Sequence, residues 1–148
     1  MDIRVQHPAF DVADEIARLH AADSGVGALV TFVGYVRDAH AGVGVQGMEL
    51  EHYPGMTEKS LAAIVAEAEQ RWHTLRISVI HRVGKLFPAD PIVFVGVVSA
   101  HRADAFAACE FIMDYLKTQA PFWKKETTSN GERWVEARAS DDEAARRW

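Results

Sequence analysis

The stretch LRISVIHRVGKLFPADPIVFVGVVSA, residues 75–100, decides the fold. It holds two β-branched runs, 75–84 and 91–100, separated by KLFPAD, a turn carrying Pro88 and Asp90. Both runs read as strands, because valine and isoleucine fit a pleated, buried surface. A helix follows directly in AFAACEFIMDYLKT (105–118), and Pro121 helps to end it. FWKKETT and RWVEAR then form a hairpin around Ser129-Asn130-Gly131, where Asn-Gly is a strong turn signal. The polar segment SDDEAARRW reads as a helical turn or a tail.

Upstream, residues 11–23 form a short amphipathic helix with Val12, Ile16 and Leu19 at helical spacing. GALVTFVGYVR (27–37) is a strand buried on both faces for part of its length. DAHAGVGVQG (38–47) has three glycines and little to bury, so a mobile loop is expected there. MELEHY (48–53) alternates as a half-buried strand does. A second helix follows, capped by Thr57 and stapled by Met56 against Leu61, with Leu61, Ile64, Val65, Ala68 and Trp72 as its apolar stripe. From residue 48 the order is strand, helix, strand, strand, helix, strand. That order predicts an α+β fold, a mainly antiparallel sheet packed by helices on one face. The hairpin and an N-terminal strand are expected to make a second, small sheet. All 148 residues read as a single domain.

Composition narrows the function. A chain of this length buries roughly two-thirds of its unfolded surface without staples, and 49% apolar with 25% charged residues is ordinary for a globular protein. The net charge of −5 gives no support to nucleic-acid binding. No signal peptide or membrane span is visible. One cysteine allows no internal disulfide, which fits a cytoplasmic setting. Cys109 falls on the apolar side of its helix and reads as core rather than as a nucleophile. The histidines lack zinc-like pairing, so no metal is expected. His52 and His81 lie in strands and read as core-edge or surface residues. Gly42, Gly44 and Gly47 are not followed by the Lys-Ser/Thr of a phosphate loop.

The chemistry concentrates in FIMDYLKTQAPFWKKE, residues 111–126. At 100° per residue, Lys117 lies within about 20° of Phe106 and about 40° of Met113 around the helix axis. It therefore borders the apolar side marked by Phe106, Cys109, Met113 and Leu116. Such a lysine suits a helix end simply through the macrodipole and a snorkelling stem. Partial desolvation would equally lower its pKa and make it an acid, base or nucleophile. Lys124 and Lys125 are consecutive in a strand and point to opposite faces, so at most one shares a site with Lys117. Arg37, the His101-Arg102 pair at a helix start, and Arg138 are further candidate ligands for an acidic substrate.

Taken together, LEHYPGMTEKSL, VIHRVGKLFPAD, IVFVGVVSAHR, FIMDYLKTQAPFWKKE and RWVEAR resemble the large, catalytic subunit family of molybdopterin synthase, over nearly the whole chain and in the same order. That resemblance implies an α/β hammerhead with an added small sheet. It also implies a sulfurtransferase of molybdenum cofactor biosynthesis, one that builds the dithiolene of molybdopterin on cyclic pyranopterin monophosphate. The implied sulfur donor is the C-terminal glycine thiocarboxylate of a small ubiquitin-like carrier, whose tail enters a pocket of the large subunit. Two large subunits form the implied central dimer, with one carrier at each end as a heterotetramer. No resident cofactor is implied, since the sulfur is imported.

By similarity Lys117 and Lys124 are the catalytic lysines. Tyr35, Val36, Arg37, His101, Arg102, Lys125, Glu126 and Arg138 join them in substrate binding, and Phe32 and Met113 wall the tail channel. Tyr35 stands where some relatives carry lysine, which leaves a backbone contact there rather than a charge. On the residues alone two other classes stay open: a Schiff-base lysine enzyme, and a non-catalytic scaffold for a ubiquitin-like partner.

Overall fold

The computed structural model describes residues 1–40, 42–136 and 138–148. Two sheets share the chain. The first has the strand order β1 (Asp2–Gln6), β5 (Arg76–Arg82), β7 (Pro91–Ser99), β2 (Ala28–Tyr35). The β1–β5 pair is parallel and the other two pairs are antiparallel. The second sheet runs β3 (Ala39–His40), β4 (Val43–His52), β8 (Phe122–Thr128), β9 (Gly131–Val135), and β6 (Gly84–Leu86) pairs with β4. The mixed α+β class and the antiparallel character expected from the sequence are both present.

The quoted stretch supplies the centre of the first sheet. β7 is buried along almost its whole length because β5 and β2 flank it and helices cover both faces. One face packs on α2 (Met56–Arg71) and α3 (Arg102–Gln119), where Val79, Val95, Val97, Phe111 and Ile112 form the main core. The other face packs on α1 (Val12–His20) through Leu19, Ile80, Phe94 and Val98. Helices thus lie on both faces rather than one. The doubly buried strand is β7, not residues 27–37: β2 ends the strand order and is only half-buried.

Several local expectations change. The N-terminal strand belongs to the first sheet, where β1 adds in parallel beside β5. Residues 38–47, expected as a loop, are largely strand: β3 pairs with the start of β4, and Val45 pairs onward with Thr128. Glycines stripped that segment of side-chain pattern, but backbone pairing needs no side chain. The first two residues of the KLFPAD turn belong to strand β6, which the chain enters through Gly84 at φ +85°. Thr57 does not cap α2. The cap position is Gly55, whose N–H donates to Glu58, while the Thr57 hydroxyl donates to the Tyr53 carbonyl at 2.9 Å. Met56 is exposed and forms no staple. The segment after Arg138 is a full short helix, α4 (Ala139–Ala145).

Gly27 holds a close approach that Gly44 does not. A Cβ on Gly27 would sit 2.0 Å from the backbone oxygen of Ala100, whereas one on Gly44 would meet nothing within 4 Å. Gly27→Ala is therefore expected to cost more than about 2 kcal/mol, while Gly44→Ala stays within roughly 0.5 kcal/mol of the parent. Urea denaturation of the two variants checks this; equal midpoints would show that the 27–28 segment can shift away from Ala100.

Candidate functional site

The C-terminal end of α3 faces the inner surface of the second sheet across the open end of the first. The gap is a cavity of about 560 Å³. Lys117 and Ala120 come from α3 and its exit, Phe122, Lys124 and Glu126 from β8, and Phe32, Gly34, Tyr35 and Arg37 from β2 and the residues after it. His81 lies on the floor from β5, and Glu136, Arg138 and Asp141 close the far side. Strand alternation explains the lysines: Lys124 and Glu126 face inward, while Lys125 and Trp134, paired across β8 and β9, face outward.

On α3 the buried residues Ala105, Ala108, Cys109, Ile112, Met113 and Leu116 form one arc. Lys117 lies about 40° beyond Met113, just past the arc's edge. Phe106 lies past the same edge and is 61% exposed, so it marks the margin rather than the apolar side. Pro121 then turns the chain directly into β8, which returns Lys124 to the same cavity as Lys117. Burial, and next the charge of Lys117, pull Lys124 down to about 8. Arg138 adds to that fall and Asp141 opposes it.

Glu126 is also in the wall, but its carboxylate is engaged. Arg133 donates to it through Nη2 at 3.1 Å, and His40 Nδ1 stands 2.8 Å from its other oxygen. The Arg133 guanidinium additionally donates to the His40 carbonyl, which ties β3 to β9. Glu126 therefore braces the pocket wall.

His81, read as a core-edge or surface histidine, is buried and stacked on Phe122 with ring centroids 3.8 Å apart. Its Nδ1 meets the Arg82 carbonyl at 2.8 Å, which places the proton on Nδ1. Burial pushes its pKa down to about 3, so the ring is neutral and leaves Nε2 as an acceptor. Only the in–out pattern of 75–82, with Ile77 and Val79 on the same core face, hinted at this inward position. Asp141 and Glu136 were also missed, since nothing in a polar C-terminal segment marks which residue turns inward.

Other expected site residues lie elsewhere. Lys125 pairs with Glu132 at 3.3 Å and stands 5.7 Å from the Trp134 ring centroid, on the outer face. Val36 is buried in the core while its backbone bonds Ala89 and Asp90. Met113 packs in the core rather than in this wall. His101 and Arg102 start α3, about 24 Å along the axis from Lys117. Within one chain they cannot reach the lysines. Cys109 is buried, which pushes its thiol up to about 12.

A second hollow of about 230 Å³ lies between β1, β5 and α1. Two of its charges are matched, Glu15 with Arg4 at 2.9 Å and Arg76 with Asp23 at 3.0 Å. The larger cavity gathers Arg37, Lys117, Lys124 and Arg138, an arrangement that folding stability does not favour and an anionic ligand does.

Comparison with known proteins agrees with that geometry. The model of the MoaE protein family matches residues 5–119. The chain is 63% identical over 148 residues to a molybdopterin synthase catalytic subunit of Pseudomonas aeruginosa, covering all of this chain and 99% of that one. It is 60% identical over 139 residues to the subunit of the same description in Escherichia coli, covering 94% and 92% of the two chains. Among solved structures it is similar to a molybdopterin biosynthesis MoaE protein from Burkholderia ambifaria, with TM-score 0.85, 58% identity and 99% and 97% of the chains covered. A Helicobacter pylori complex of subunits 1 and 2 of molybdopterin-converting factor shares the fold alone, at TM-score 0.75 and 19% identity over 92% and 91% of the chains.

Lys124 also leaves a mark on stability. Its pKa falls from 10.5 when unperturbed to about 8 in the fold, so the cost of burying the ammonium is complete below pH 8 and disappears as pH rises through 10.5. Lys124→Met is expected to raise the melting temperature at pH 7 by about 2 °C or more. The parent should gain on this variant in stability between pH 8 and 10.5. Thermal melts of both across that range test this, and a constant difference would contradict the burial of the charge.

Proposed function

The chain belongs to the MoaE family, and on that premise we propose that its cationic cavity is where sulfur reaches a pyranopterin substrate. At the level of the family the activity is plain: it is the sulfurtransfer of a molybdopterin synthase catalytic subunit in molybdenum cofactor biosynthesis. One observation carries the assignment to this cavity. Lys117 and Lys124, from a helix and a strand, line one cavity inside a protein of net charge −5.

The substrate, cyclic pyranopterin monophosphate, carries a phosphate, and the donor is the thiocarboxylated C-terminal glycine of a small ubiquitin-like carrier. Both are anions, and both suit a pocket with Arg37, Lys117, Lys124 and Arg138 in its walls. The thiocarboxylate sulfur forms a bond to a side-chain carbon of the pterin as the oxygen substituent on that carbon leaves with a proton, which joins the carrier to the pterin through a thioester. Lys124, held near 8, exchanges a proton close to neutrality, and Lys117 stabilises developing negative charge. Water then releases the spent carrier, and a second loaded carrier repeats the step.

Phe32, half-exposed at the cavity mouth, suits the wall of a tail channel, and Tyr35 beside it offers backbone rather than charge. Met113 and Val36 act from behind that wall, as packing. Glu126 serves by holding β8 in place, and Lys125 by anchoring the outer face of the hairpin. His101 and Arg102 join the phosphate site from a second copy of the chain, the arrangement that their distance from Lys117 requires of a homodimer. Two copies with a carrier at each end make the heterotetramer, and the setting is the cytoplasm.

The depressed Lys124 also favours one other reading, a Schiff-base enzyme, because an amine near 8 is a competent nucleophile. Reconstitution separates the two. Lys117→Ala is expected to keep carrier binding and to lose at least about 100-fold in dithiolene formation from thiocarboxylated carrier and substrate. Borohydride with a carbonyl compound should trap no imine on the parent chain. Near-normal turnover by the variant, or a trapped adduct on Lys124, would overturn the proposal.

A further inference from the structure

The last helix brings an acid to the lysine pair. α4 lies along α3, fixed at its far end by three contacts. Arg147 donates to Glu110 at 2.8 Å and to Asp114 at 3.0 Å, and the Trp148 indole N–H donates to Asp114 at 2.7 Å. Trp148 also packs edge-on against Trp72 and Phe111. With that end fixed near residue 114 of α3, the helix runs back toward the C-terminal end of α3. Its first turn, where the Asp141 N–H donates to the Arg138 carbonyl at 3.0 Å, then falls at the cavity wall.

Lys124 has a defined set of charged and titratable neighbours in that cavity. α3 supplies Lys117, β5 the neutral His81, and the end of β2 Tyr35 and Arg37. β3 supplies His40 and β8 itself Glu126, but those two engage each other and Arg133. The remaining segment supplies Glu136, Arg138 and Asp141. Of the carboxylates, Glu126 is committed to Arg133. Asp141 is the acid that weighs most on Lys124, raising its pKa against the larger effects of burial and Lys117 and against Arg138.

We infer that Asp141 is a positioning residue whose carboxylate, held in the cavity wall by the α4–α3 contacts, is a counter-charge to the Lys124 ammonium beside Lys117. Two ammonium groups in one cavity repel, and without an anion nearby the more buried one sheds its proton first. Asp141 and Arg138, three residues apart on one rigid turn, act on Lys124 in opposite directions. Together they adjust a charge state that burial and Lys117 set first. This assigns the C-terminal helix a chemical role, that of adjusting the protonation of a residue on another strand. It rests on the transfer site proposed above, although its primary test does not depend on catalysis.

That test is a titration of the full chain labelled on lysine, with the Lys124 side-chain nitrogen followed by NMR and assigned with Lys124→Arg. Asp141 is on a helix without buried residues, so its replacement leaves the core intact. Asp141→Asn is expected to lower the Lys124 midpoint by about half a pH unit or more, and Asp141→Glu to restore most of it. The pH profile of dithiolene formation should carry the same displacement in the limb that follows Lys124. A midpoint unmoved by Asp141→Asn overturns the inference, whatever the activity does. A midpoint that moves while the rate profile stays fixed supports the counter-charge and instead removes Lys124 from the chemistry.

Discussion

Two like charges brought into one cavity are the constraint on which this structure turns. Lys117 and Lys124 repel each other, and burial makes the repulsion stronger because the medium screens it less. A flexible surface would let them separate. Here Lys117 is fixed to the last turn of an 18-residue helix, and Lys124 to a strand paired on both sides. The short exit through Pro121 leaves no slack between them. Their proximity is paid for by the two sheets and the helix, each stabilised by burial elsewhere. The result is a preorganised cationic pocket in which an anion would relieve that repulsion.

The two sheets divide the labour. The first, centred on β7, carries half of the largest fully buried apolar side chains, packs under the helices that carry most of the others, and supplies rigidity. The second is thinner and more polar, and it carries Lys124, Glu126 and the Glu126–Arg133–His40 cluster. β6 joins them, because a single chain passes from β5 through Gly84 and adds an edge to β4. This joint fixes how far the floor, with His81, lies from the wall, with Lys124. A site formed between two sheets needs such a joint to hold its width.

The legible parts of the fold were those with strong side-chain pattern. Residues 75–100 announced two strands, the stripe from Leu61 to Trp72 announced α2, and Asn130-Gly131 announced the hairpin. Residues 43–47 failed because glycine carries no pattern, although its backbone pairs as well as any other. The orientation of Lys124 against Lys125 followed from the two-residue period of a strand. His81, Glu136 and Asp141 were not legible as site residues. Their roles depend on which distant elements converge, and no local period encodes that. The separation of His101 from Lys117 was implicit in helix length, since 16 residues of α3 span about 24 Å. The resemblance alone concealed it, because a shared motif lists residues without saying which chain supplies them.

The C-terminal helix has a consequence for folding as well as for charge. α4 buries none of its own residues, and its attachment to α3 rests on the side chains of Arg147 and Trp148 at one end. Segments held in this way open at a free energy well below that of global unfolding. The cavity wall formed by Arg138 and Asp141 is therefore the last part of the site to close and the first to open. Hydrogen exchange would see the core strands and this wall as separate units with separate lifetimes. A population fully folded by any global measure thus still contains molecules in which the lysine pair is open to water.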